Sequence, residues 1–139
     1  MNVDIGQELK SSTLMLAFYP RDFGFFCTKQ LCNYQESYAK FEAHGLKLYG
    51  ISPNNPEEHY QFKKRFKFSF ELLSDPNKEI FKTYGVSSLF TLGGMSRAVF
   101  IVGKNGVILY RYVEPTQLTL RNVATILKTV ETLKQSGRI

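Results

Sequence analysis

A chain of 139 residues is enough for one domain with a buried core and no disulfide staples. Apolar residues make up 43% and charged residues 22%, a balance that excludes a disordered or low-complexity chain. The formal charge of +6 would suit an acidic partner, but much of the local excess falls in one run, Lys63-Lys64-Arg65-Phe66-Lys67. No nucleic-acid motif accompanies that run. It reads as a solvated helix face with aromatic residues turned inward, and no nucleic-acid partner is expected. The longest apolar run, Leu14 to Tyr19, is too short to span a bilayer, so no membrane partner is expected either. The opening Met1-Asn2-Val3-Asp4 lacks the basic cluster and apolar stretch of a secretory leader, and the expected location is cytoplasmic.

The predicted elements follow in chain order. Thr13 to Tyr19 is a buried strand that closes on Pro20. After a loop, a helix begins near Cys27 and runs to about Ala43. Leu31, Tyr34, Tyr38 and Phe41 form its apolar stripe, and Gly45 its C-terminal cap. Leu46 to Ile51 is a second strand, and strand, helix and strand fit a right-handed parallel crossover. Asn55-Pro56-Glu57-Glu58 starts a helix with a capping box, ending near Phe66. Phe70 to Leu73 is a short strand. Asp75-Pro76 repeats the helix-start signal, with a helix to Tyr84 and Gly85 behind it. Val86 to Ser96 is a loop. Arg97–Val102 and Val107–Tyr112 are strands joined at Lys104-Asn105-Gly106, a hairpin signal. Leu120, Val123, Ile126, Leu127, Val130 and Leu133 mark a closing helix. No linker divides residues 1–139. The order suits a single α/β domain with a thioredoxin-like fold, a central mixed sheet flanked by helices.

Cys27 and Cys32 are the only cysteines. A two-cysteine chain is not a disulfide scaffold, so the pair reads as redox chemistry, buried packing or part of a metal site. A metal site would recruit His44 and His59, but fourteen residues between them are unlike the three to five of a zinc finger. His44 reads as a helix-end residue and His59 as a surface residue on the second helix; no metal is expected. Cys27 follows a strand and a proline loop and opens a helix. Unpaired N–H groups and the dipole at such an end stabilise a thiolate, the nucleophilic form. Arg97, if it sits beside Cys27, adds a charge that cannot be titrated away. By position alone, Arg97 reads more simply as a surface charge at a strand end, and Cys27 equally as a small buried hydrophobe. In an intact helix, residues five apart have Cα atoms roughly 8–9 Å apart, beyond the ~7 Å a disulfide bridges. A bond between Cys27 and Cys32 therefore requires the helix start to unwind.

The segment Phe18-Tyr19-Pro20-Arg21-Asp22-Phe23-Gly24-Phe25-Phe26-Cys27 resembles the peroxiredoxin active-site pattern Pro-x-x-x-Thr-x-x-Cys. Through Thr28-Lys29-Gln30-Leu31-Cys32 it is similar to the bacterioferritin comigratory, or Q-type, subfamily. Gly50-Ile51-Ser52-Pro53, Leu73-Ser74-Asp75-Pro76, Tyr84-Gly85-Val86 and Arg97-Ala98-Val99-Phe100-Ile101 fall where that family has similar segments, so the resemblance covers nearly the whole chain. It implies a thioredoxin-dependent peroxidase that reduces hydrogen peroxide and alkyl hydroperoxides. Cys27 matches the peroxidatic cysteine and Cys32 the resolving one, joined in a disulfide during turnover. Arg97 matches the arginine that steadies thiolate and peroxide, Pro20 the proline that shields the sulfur, and Gln30 a supporting hydrogen-bonding position. The implied partners are a peroxide and a thioredoxin-like dithiol reductant, with no cofactor and a monomer or weak homodimer as the expected state.

Two features depart from the family. Gly24 stands where the motif has threonine, whose hydroxyl helps hold the peroxide. Glycine there would also permit a left-handed backbone that threonine cannot adopt easily. The chain also starts about twenty residues later than family members usually do. Both features support a rival expectation, a thioredoxin-fold redox sensor or interaction module with weak or lost peroxidase activity.

Overall fold

The computed structural model describes residues 5–86, 96–115 and 119–139. Helix α1 (Ile5–Glu8) precedes strand β1 (Thr13–Phe18), then α2 (Phe25–Glu36), α3 (Tyr38–Ala43), β2 (Leu46–Ser52), α4 (Pro56–Phe66) and β3 (Glu71–Ser74). Helix α5 (Glu79–Thr83), β4 (Ala98–Val102), β5 (Ile108–Val113) and α6 (Val123–Gln135) complete the chain. The strands form one mixed sheet in the order β3-β2-β1-β4-β5. β1 lies at its centre, parallel to β2 and antiparallel to β4, and all six of its residues are buried.

Alternation along β1 divides the core. Met15 and Ala17 face one side, with Val99, Ile101, Leu31 of α2, Phe62 of α4 and Ile126 and Val130 of α6. Leu14, Leu16 and Phe18 face the other, with Tyr49, Ile51, Phe100 and Phe81 of α5. A strand buried on both faces reads as a continuous apolar run, and Leu14 to Phe18 is one. Gly50 of β2 has a packing role. A Cβ there would lie 2.8 Å from Leu72 Cδ2 and 3.2 Å from Tyr19 Cε1, so glycine lets the Tyr19 ring lie close over β2.

The capping box at α4 forms as expected: Asn55 accepts from the Glu58 N–H at 2.8 Å, and Glu58 accepts from the Asn55 N–H at 3.3 Å. The basic run lies on that helix. Phe62 is buried, Lys63 pairs with Glu71, Lys64 lies over the Tyr60 ring and Arg65 over Phe66. No helix among the described residues is long and apolar enough to cross a membrane.

Several boundaries differ from expectation. α2 starts two residues before Cys27 and breaks at Ser37, whose N–H turns to the Tyr34 carbonyl, so the helix expected to reach Ala43 is two helices. Asp75-Pro76 does not start a helix. It opens a turn in which the Lys78 N–H bonds the Asp75 carbonyl, and α5 begins only at Glu79. The Asp75 carboxylate still accepts from the Phe81 N–H at 3.0 Å, which explains the cap-like signal. The β4–β5 connection is a 3₁₀ turn over Lys104–Gly106 instead of a two-residue turn. α6 begins at Val123, where Asn122 caps it, three residues after Leu120. Most of the expected loop from Val86 to Ser96 lies outside the described residues.

Candidate active site

Cys27 is the third residue of α2, in the first turn, and is 3% exposed. Both cysteines are free thiols. Gly24 precedes the helix, and the Thr28 N–H closes the first turn onto its carbonyl at 2.8 Å. Cys27, Gln30, Leu31 and Tyr34 share the buried face of α2, at the spacing of one helical stripe. Arg97 arrives from the sheet. It stands just before β4, which pairs with β1 at Phe18↔Ala98, so the sheet carries it to the end of the strand that leads into the cysteine loop.

Arg97 Nη1 donates to Cys27 Sγ at 2.9 Å and to Gln30 Oε1 at 3.1 Å. The Gln30 amide nitrogen donates in turn to the Tyr34 hydroxyl at 3.1 Å. Glutamine suits this position because one side chain supplies both the acceptor for the guanidinium and the donor for the phenol. The Tyr34 phenol is pushed up to about 12, mainly by burial, and so stays protonated. Arg97 is 3% exposed, so the surface-charge reading of this residue is excluded. The buried guanidinium therefore places a positively charged N–H donor directly on the sulfur.

Cys32 is half-buried on the same unbroken helix. Burial, then the nearby Glu36, pushes its thiol up, so in this conformation it is a weak nucleophile. The five-residue separation turns it about 140° from the Cys27 face. Pro20 is half-buried at the head of the loop. Gly24 has φ −65° and ψ 145°, an extended conformation open to any residue, so no left-handed backbone requires glycine there. The left-handed residue of this loop is Phe23, at φ 62°. A Cβ at Gly24 would lie 3.5 Å from Cys27 Sγ and 3.3 Å from Arg21 Cγ and Nε. The position at which the motif has threonine therefore does face the sulfur.

His59 is not a surface residue. It is 4% exposed, with Nδ1 2.7 Å from Asp22 Oδ2 and Nε2 3.1 Å from the Leu73 carbonyl oxygen. The sequence reading mistook its place because the flanking Glu58 and Tyr60 are exposed, while position 59 shares the inner face of α4 with Phe62. Asp22 Oδ1 accepts from the Tyr19 hydroxyl at 2.7 Å. Burial first, then the Asp22 charge, raises the Tyr19 phenol well above its ordinary value, so it too remains protonated. His44 caps α3, away from these groups, and no cluster of three or more His, Cys, Asp or Glu side chains among the described residues could hold a metal ion. Sequence reasoning also missed Glu114, which is 5% exposed and bonds the Arg97 carbonyl through its N–H at 2.8 Å. Its place directly after an apolar strand was the available signal.

The site is a free thiol at a helix start, with a buried arginine on its sulfur, on a mixed five-stranded sheet. Residues 3–111 match the AhpC/TSA family, and the chain belongs to that family. Peroxiredoxin Q of Oryza sativa subsp. japonica, a protein named chloroplastic, is 40% identical over 107 residues, covering 76% of this chain and 48% of the rice protein. Peroxiredoxin Q of Sedum lineare, also named chloroplastic, is 37% identical over 129 residues, covering 91% of this chain and 68% of that protein. The bacterioferritin comigratory protein of Xanthomonas campestris superposes with a TM-score of 0.80 over 91% of this chain and 82% of its own. At 19% identity, that match shows the shared fold. The chain spans about half the length of the rice relative.

Proposed function

We propose that this chain is a thiol-dependent peroxidase acting on hydrogen peroxide and alkyl hydroperoxides. The single observation that carries the reading is the buried Arg97 guanidinium 2.9 Å from Cys27 Sγ at a helix start. The Xanthomonas campestris protein with the same fold is described by its alkyl peroxide reduction activity, which favours the same substrate class here. The Cys27 thiolate attacks one peroxide oxygen and the O–O bond breaks. With one proton taken up, the products are the Cys27 sulfenic acid and water or an alcohol. Arg97 and the free N–H groups of the first turn of α2 stabilise the negative charge that develops on the departing oxygen. Gln30 holds Arg97 in place, and Pro20 limits access of water.

In the second step α2 unwinds from its start, and the Cys32 sulfur attacks the sulfenic acid. An S–S bond forms and water leaves. A thioredoxin-like dithiol then returns both thiols by exchange and is itself oxidised. Release from its half-buried place relieves the burial that weakens Cys32 as a nucleophile. Two free thiols suit a reducing compartment, and the cytosol, with a monomer or weak homodimer, is part of this reading; the plant relatives carry chloroplastic names. Imaging of the tagged chain in its own cells would test the location.

A second reading, a redox sensor with weak peroxidase activity, is favoured by one observation: the space beside Cys27 Sγ where the motif places a hydroxyl holds none. A coupled assay with a thioredoxin system, run on wild type beside Cys27→Ser, tests the first reading. Peroxide-dependent turnover lost in the variant supports it, and equal rates in both chains defeat it. Slow turnover with full conversion to the disulfide would favour the sensor.

A further inference from the structure

The loop that leads into Cys27 is tied down on one side only. Asp22 lies at its centre with a side chain that is 1% exposed. Its carboxylate accepts from the Tyr19 hydroxyl at 2.7 Å and faces His59 Nδ1 at 2.7 Å, and its N–H donates to Asn54 Oδ1 at 2.8 Å. His59 also faces the Leu73 carbonyl oxygen through Nε2, at 3.1 Å. With Asp22 ionised, the carboxylate and the Leu73 carbonyl both accept, so both ring nitrogens donate and the contact is an ion pair shut away from water. One residue on, Phe23 is held at φ 62° with its ring 4.8 Å from Phe62 and 6.2 Å from Phe66. A bulky residue persists in that backbone region only where its surroundings fix it. Beyond Phe23 the anchoring stops. Gly24 has no side chain, and Phe25 is 77% exposed.

We propose that the Asp22–His59 ion pair is a latch that fixes residues 19–23 onto α4 and β3, so that opening of the active-site helix begins at Gly24. His59 and Asp22 are positioning residues. They keep the first turn of α2, and with it the Cys27–Arg97 contact, closed until the helix start lets go. The latch deepens the peroxidase reading, since it limits how much structure is lost when Cys27 and Cys32 join. Its existence can be measured without peroxide.

The test uses the full reduced chain and a maleimide probe. Cys27 is buried and reacts only when the first turn opens, while Cys32, half-buried on the same helix, is the internal control. In His59→Leu, which strands the Asp22 charge, alkylation of Cys27 should quicken by about tenfold or more. Hydrogen exchange should quicken at residues 25–28 and stay unchanged across Leu14–Phe18. Asp22→Asn guards against a misfolded leucine variant. Asparagine can accept from Tyr19 and donate to a neutral His59, which still donates to Leu73, so only the charge is lost. Because charge-assisted bonds are roughly twice as strong, alkylation in that folded variant should rise by about threefold. Protection equal to wild type in Asp22→Asn overturns the latch, as does unchanged Cys27 reactivity in a folded His59→Leu. Exchange rising equally across β1 would show general destabilisation and overturn it too. Loss of the peroxidase reading in the Cys27→Ser assay would leave these measurements standing.

Discussion

Arg97 Nη1 touches Cys27 Sγ at 2.9 Å across 70 residues of chain. Two adjacent strands make the contact possible. β1 leads into the cysteine loop, and the arginine stands just before β4. In Arg97→Ala, attack on hydrogen peroxide should slow by about 10- to 150-fold, the equivalent of the roughly 1.5–3 kcal/mol carried by a hydrogen bond to a charged group. Stopped-flow single turnover measures it. A variant matching the wild-type rate would place Arg97 outside the chemistry.

Gln30 joins Arg97 to Tyr34 through both ends of its amide. Gln30→Leu leaves the phenol and the guanidinium each short of a partner. The expected stability loss is about 1–3 kcal/mol, and the peroxide rate should fall with it because Arg97 is less firmly aimed. Gln30→Glu keeps the acceptor for Arg97 and can accept from the Tyr34 hydroxyl, so it should recover most of the rate. Urea unfolding and stopped-flow rates on both variants would show whether the losses separate; a glutamate variant as slow as the leucine one would refute the positioning role.

Peroxide should join Cys27 and Cys32 of one chain in a disulfide with loss of roughly one to two helical turns, because the intact α2 holds these residues too far apart to bond. Mass spectrometry after alkylation should find the monomer two hydrogens lighter, and circular dichroism should report less helix. Cys32→Ser should complete the first step and accumulate sulfenic acid. Disulfides found only between chains would count against this route.

The sequence made the sheet legible where residue patterns carry one meaning. Leu14 to Phe18 could only be a strand buried on both faces, and Asn55 with Glu58 could only be a capped helix start. The cysteine, the arginine and the glutamine could be singled out through the resemblance to the peroxiredoxin family, whereas by position alone Arg97 reads as a surface charge. The His59–Asp22 pair could not, since its two members lie 37 residues apart and meet only when α4 folds over the loop. Asp75-Pro76 misled for a local reason: an aspartate that caps at a distance, across a turn, leaves the same letters as one that caps directly. The break at Ser37 was hidden because Tyr38 and Phe41 continue the apolar spacing on the far side of it.

Gly24→Thr is the sharpest test of the site. The backbone at Gly24 is extended, so threonine fits without strain, and a Cβ there would lie 3.5 Å from Cys27 Sγ. The crowding comes from Arg21 Cγ and Nε at 3.3 Å, part of a long side chain that can swing aside. Gly24 is also the N-cap of α2, and threonine in place of glycine at a cap changes stability by only a few tenths of a kcal/mol, about the limit of measurement. The hydroxyl has two uses open to it. Its oxygen can accept from an N–H of the first turn, and its proton can then point toward a peroxide oxygen held against the thiolate. If that bond strengthens in the transition state, the second-order rate should rise by about 10- to 150-fold. An ordered water already filling the space would shrink the gain toward the low end. Stopped-flow rates and thermal unfolding on the same variant decide the matter. A faster reaction at unchanged stability identifies the missing hydroxyl as the site's deficit. A slower reaction in a stably folded variant would mean that the peroxide approaches Cys27 through the space glycine leaves open, and that this chain has adapted to a bulkier substrate at that point.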